Sequence, residues 1–284
     1  MPHAIEGFRE LYDLVADYEG ARLFDDVLAP ALPAAQAIMR DLQSVRQRER
    51  SGEPAFADEL SHELFALDVV KDRLILPLAV SLEQFQAFFT TLGFEPFVAS
   101  PGTPYDPLLH EIVGLANWVD RASGTRIGGT YWPGLRLGQL VFARTGVDVF
   151  AHPSHGLVEG IADRSTLHFA YDRISRPTDS PAHGWGSNSR WRTRFHRFYE
   201  EPGVRIFNFD GVVDLAEPEP RGRDDGPPLA EVDIELQRDL LVHRCRISGG
   251  DAEDAYPYEC TIAVRQGACW PFHPHDLVTR DQLP

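Results

Sequence analysis

Histidine, glutamate and cysteine are the side chains of this sequence with the widest chemistry, so their placement comes first. His110 and Glu111 stand side by side in PYDPLLHEIV, residues 104–113. A His-Glu pair can serve acid–base catalysis or ligate a metal. On a strand, however, adjacent side chains point to opposite faces and do not converge on one metal or substrate. Asp106 and Pro107 read as a turn, because an aspartate carboxylate accepts local backbone hydrogen bonds and proline fixes φ. The expectation is a turn leading into a strand, with His110 partly at the surface of a small sheet.

A second set lies near the C-terminal end: His243, Cys245, Cys260, Cys269, His273 and His275. These are donors of the right softness for zinc. Their spacing follows no zinc pattern, no CxxC pair is present, and three cysteines do not make a disulfide framework. Buried cysteine commonly acts as a small apolar residue. No metal and no cofactor are expected. A Cys-His nucleophile pair is compatible with the composition, which leaves open an enzyme with its active site in residues 153–284. Neither a GxxxxGK[ST] phosphate loop nor a GxSxG elbow occurs.

A third set is HGWGSNSRWRTRFHRFY, residues 183–199, with Trp185, Arg190, Trp191, Arg192 and Arg194. Arginine beside aromatic rings suits a protein-binding patch or single-stranded nucleic acid. The alternative is a strand whose arginines pair with nearby acids. The net charge of -16, from 27 basic and 43 acidic residues, repels phosphate backbones and speaks against a nucleic-acid partner. Lys71 is the only lysine.

These residues must be held by ordered elements. The 284 residues, 43% of them hydrophobic, suffice for a substantial core. Residues 5–50 read as helical, with Leu11, Leu14, Val15, Tyr18, Leu23, Val27, Leu28 and Leu32 at helical spacing. Pro30 and Pro33 should kink or break that run. A second helical region spans residues 56–91, bent at Pro77, with Phe85, Phe88 and Phe89 as core. At Gly93 the character changes to short strands and Gly/Pro turns: HEIVGLANW, TRIGGTYW, GLRLGQLVFA and GVDVFAH.

Beyond His152, TLHFAYDRI, TRFHRFY and YECTIAV read as strands, and Asp210-Gly211 in VRIFNFDGVVDL reads as a hairpin turn. VDIELQRDLLVHRC is ambiguous between strand and helix. The expected fold class is α+β in three regions: helices over 1–92, a small β domain over 93–152, and a β-rich domain over 153–284. The N-terminus has neither a basic n-region nor an apolar h-region, and no apolar run approaches the roughly 18 residues of a membrane span. A cytoplasmic protein is expected.

Three motifs in order give residues 82–150 a resemblance to the GrpE family, the nucleotide exchange factors of Hsp70 chaperones. They are FFTTLGFEPF at 88–97, PYDPLLHEIV at 104–113 and GLRLGQLVFARTGVDVF at 134–150. More loosely, the resemblance extends over residues 20–152. It implies helices before a small β domain, and a co-chaperone that is not an enzyme. It implies contact with an Hsp70-type ATPase through Tyr105, Asp106, Tyr131, Arg136, Leu140 and Arg144. It also offers the N-terminal helices as a surface for a homodimer. The chain departs from the family pattern at Leu140, where arginine is usual, at Leu135, where tyrosine is usual, and at Pro77, where glycine is usual. A diverged adaptor that binds without exchanging is the second reading.

Overall fold

A computed structural model describes residues 5–49, 57–75, 79–117, 124–152, 197–218, 220, 233–243, 257 and 260–283. The described residues fall into two compact units, one ending at Pro96 and one starting at Phe97. The architecture is mixed α+β: N-terminal helices followed by two β-sheets.

The helical unit contains α1 (Phe8–Ala16), α2 (Ala29–Glu49), α3 (Ala57–Ile75) and α4 (Leu82–Thr91). α1 buries Phe8, Leu11, Tyr12 and Val15, one stripe at spacings of three and four. α4 is set by its ends. Ser81 and Gln84 form a reciprocal capping box, and Gly93 takes φ 90 while the Phe94 N–H reaches the Phe89 carbonyl at 3.0 Å. That left-handed residue is what stops the helix. Phe85, Phe88 and Phe89 are fully buried; the Phe89 ring meets Phe88 and Phe94 edge-on and Phe85 at a tilt.

Of the kink or break expected at Pro30 and Pro33, the break does not occur. The chain runs through a π turn at Phe24–Leu28 straight into α2, which contains both prolines. Pro30 lies in the first turn, where a missing N–H is least felt. The π turn just before it widens the backbone path. Pro77 lies outside the described residues, between α3 and α4. α3 is buried on nearly all sides from Leu64 to Ile75, including Asp68, Lys71 and Asp72. Lys71 Nζ sits 2.6 Å from Asp68 and 3.0 Å from Asp72.

The β unit, from Phe97 onward, holds the two sheets. A three-stranded sheet has the order β2 (His110–Asn117), β6 (Thr145–Ala151), β3 (Arg126–Trp132). β2 runs parallel to β6, and β3 antiparallel. Residues 99–105 line the outer edge of β3 through backbone bonds such as Gly102 N–H to Ile127 O at 2.7 Å, so that edge is covered. The eight-stranded sheet runs β1 (Glu95–Phe97), β4 (Gly134–Leu137), β5 (Leu140–Ala143), β7 (Tyr199–Glu201), β8 (Val204–Phe207), β10 (Cys260–Arg265), β11 (Leu277–Val278), with β9 (Val213–Asp214) also on β10. The stretch GLRLGQLVFA, expected as a strand, is instead the antiparallel pair β4–β5, because Gly138 at φ 60 makes a tight turn in it. Residues on both sides of the segment 153–196 thus share one sheet, because β5 pairs with β7.

The expected hairpin at Asp210-Gly211 is not formed. β8 pairs antiparallel with β10, and β9 pairs parallel with the same strand. The reason is local. Asn208 turns in the left-handed region at φ 53 and donates to the Cys260 carbonyl at 2.6 Å, while Asp210 holds Arg197. The chain therefore crosses to β10. A Cβ at Gly211 would collide with the Cys260 backbone, which cannot yield. Gly211→Ala is expected to lower stability by about 1–3 kcal/mol, read as a lower urea midpoint at unchanged slope. The ambiguous 232–245 stretch contains a helix, α5 (Ile234–Val242), capped by the Asp233 carboxylate on the Glu235 N–H. Among the described residues no helix is long and apolar enough to cross a membrane.

Candidate functional site

The turn at 104–110 is built by Asp106. Its carboxylate accepts the Leu108 N–H at 3.0 Å, its carbonyl accepts the His110 N–H at 2.9 Å, and its own N–H donates to His110 Nδ1 at 2.9 Å. The second carboxylate oxygen lies 2.7 Å from Arg205. Arg205 also binds Glu200 at 3.0 Å, and Glu200 binds Arg136 at 2.6 Å. Every ionisable group of this part of the motif is occupied in holding turn, strand and sheet together. His110 is buried, contrary to the expectation of a surface position, because the Asp106 turn folds it against Tyr105. Glu111 is buried as well, on the opposite face of β2.

Behind the turn lies a polar cluster in an apolar setting. The Tyr105 hydroxyl and His243 Nδ1 are 2.9 Å apart, and the two rings stack at 5.7 Å. Trp270 meets His243 edge to face at 4.6 Å and donates its Nε1–H to Asp239 at 3.0 Å. Arg144 donates to the Val242 carbonyl at 2.9 Å and lies over the Phe198 ring. Burial, with Arg144 adding to it, pushes the His243 pKa down to about 3. Burial pushes His110 down to about 4, with Asp106 opposing and Arg144 and Arg205 assisting. Burial raises the Asp239 pKa against the Trp270 hydrogen bond. Both imidazoles are therefore neutral at neutral pH.

The residues implied as partner contacts separate into three groups. Tyr105, Leu140 and Arg144 are buried and make their described contacts inside the β unit. Asp106 and Arg136 are half-buried and ion-paired. Tyr131 is 47% exposed, and its hydroxyl donates to Asp148. Trp185, Arg190, Trp191, Arg192, Arg194 and Cys245 lie outside the described residues. Among the described residues no group of three His, Cys, Asp or Glu side chains is placed to hold a metal ion. Cys260 is buried beside Gln237, Cys269 is exposed, and His273 stacks on His275.

Sequence reasoning missed Asp239, Trp270, Arg205 and Glu200, since their partners lie far away in the chain. Asp148 left a trace: it is the one acid inside the apolar run GVDVF. No protein-family model, no curated protein and no solved structure matches the chain.

Proposed function

We propose that the chain is a protein-binding co-chaperone of the GrpE kind, acting on an Hsp70-type ATPase through surface contacts and without covalent chemistry. The observation that carries this reading is the state of the 104–111 motif. Its Asp, His and Glu are spent on turn, strand and burial, while Tyr131 remains at the surface. Such a factor opens the ATPase cleft by preferring the open state, since only differential affinity shifts an equilibrium. Binding to the ATPase, followed by calorimetry, should then be about tenfold or more tighter without nucleotide than with ADP, the coupling typical of allosteric pairs. Equal affinity for both forms would remove the exchange role.

Leu140 favours the second reading, an adaptor that binds without exchanging. Where the family carries arginine, this chain has a core leucine, 2% exposed. That reading expects a complex of equal affinity in both nucleotide states.

A further inference from the structure

The outward face of the three-stranded sheet carries Asp148 among glycines and aromatic rings. On β6, Val147, Val149 and Ala151 enter the core, so Gly146, Asp148 and Phe150 alternate to the other face. Asp148 stands opposite Gly114 of β2 and Gly129 of β3, and both strands carry a register irregularity beside it. A further irregularity between Thr130 and Trp132 makes Tyr131 the extra residue. Bulges of this kind re-aim side chains. Here the neighbours Tyr131 and Trp132 both reach the Asp148 face. The Tyr131 hydroxyl donates to the carboxylate at 3.1 Å. The Trp132 ring covers Gly146, and the two ring centroids are 6.2 Å apart. Phe150 covers Gly128. Trp132 is buried and backs the platform, Asp148 and Phe150 are half-buried, and Tyr131 is exposed. A side chain at Gly114 would collide with the Asp148 carboxylate, so glycine is what lets the carboxylate lie against β2.

We propose that this face binds an arginine side chain from a basic segment of the partner protein. The hydroxyl bond fixes the Tyr131 ring, whose face attracts a guanidinium. A carboxylate has lone pairs for about four hydrogen bonds, so Asp148 can hold Tyr131 and still receive the planar fork of arginine. The net charge of -16 draws basic segments toward the chain. The inference rests on the protein-binding reading above and names the chemistry of the partner.

The test uses the full chain and an acetylated Gly-Gly-Arg-Gly-Gly amide, with citrulline as the neutral counterpart. Amide shifts of Gly114 and Gly129 report binding. The arginine peptide is expected to move both, and the citrulline peptide neither. Asp148→Asn should weaken binding about tenfold, the scale of one charge-assisted pair. Tyr131→Ala should weaken it about fivefold while Tyr131→Phe keeps most of it, since the ring is the cation's partner. Asp25→Asn, exposed on the helical unit, should bind as the parent does. Unchanged binding by a folded Asp148→Asn, or an equal loss in Asp25→Asn, overturns the proposal. Failure here beside an intact ATPase complex removes this inference alone. Peptide binding without any ATPase complex removes the functional reading alone.

Discussion

The β unit is expected to lose stability as the pH falls below about 6.5, and replacing His243 should take away part of that loss. His243 titrates near 3 and His110 near 4 in the folded chain, against 6.5 for a free imidazole. Above pH 6.5 neither state binds the extra proton, and the histidines add no pH dependence. Below it the unfolded chain takes up protons that the folded chain refuses. The free energy of unfolding then falls by about 1.4 kcal/mol per pH unit for each histidine. The fall from His110 ends near pH 4 and that from His243 near pH 3. His243→Gln removes one of the two contributions. It lowers stability at pH 7, because it disturbs the contacts with Tyr105 and Trp270, but its curve is shallower. Urea midpoints by circular dichroism at pH 7, 6, 5 and 4 check this. The gap between parent and variant should narrow toward pH 4; parallel curves would mean that His243 takes up its proton as readily in the folded chain as in the unfolded one.

Lys71→Met is the second change with a large expected effect. The ammonium lies between two carboxylates in a helix enclosed on nearly all sides, and Lys71, Asp68 and Asp72 are each no more than 3% exposed. Removing the cation leaves both acids buried without the charge they share. Breaking a buried ion cluster in this way costs about 3–5 kcal/mol. Replacing the whole cluster, as Asp68→Asn, Lys71→Met and Asp72→Asn together, should cost less than Lys71→Met alone, since no buried charge then loses its partner. Denaturant unfolding of the two variants decides it. A loss below about 1 kcal/mol for Lys71→Met would show the cluster to be solvated.

Much of the fold was legible because its signals are local. Leu11 and Val15 give a helical stripe, and Phe85, Phe88 and Phe89 fall in the core as read. The Asp106-Pro107 turn and the strand after it were readable for the same reason. What escaped depends on partners distant in the chain. Pro30 and Pro33 pointed to a kink or a break, yet the chain passes from a π turn into α2 without a break. Asp210-Gly211 has hairpin chemistry, but Asn208 and Arg197 send the chain across to β10. Periodicity cannot show that α3 buries Asp68, Lys71 and Asp72, since an enclosed helix presents no polar face. The site divides in the same way. The resemblance implied Tyr131 and Arg136 by position alone, whereas His243 joins Tyr105 only through tertiary packing. No spacing rule reports a contact between residues 138 apart.

We propose above that this chain speeds ADP release from an Hsp70-type ATPase. Release of fluorescent ADP from the same organism's Hsp70-type proteins, followed with and without the chain, tests it most directly. Acceleration that saturates with chain concentration, and that declines in Tyr131→Ala, is the predicted result. An ADP release rate unchanged at saturating chain for every Hsp70-type protein tried would contradict it.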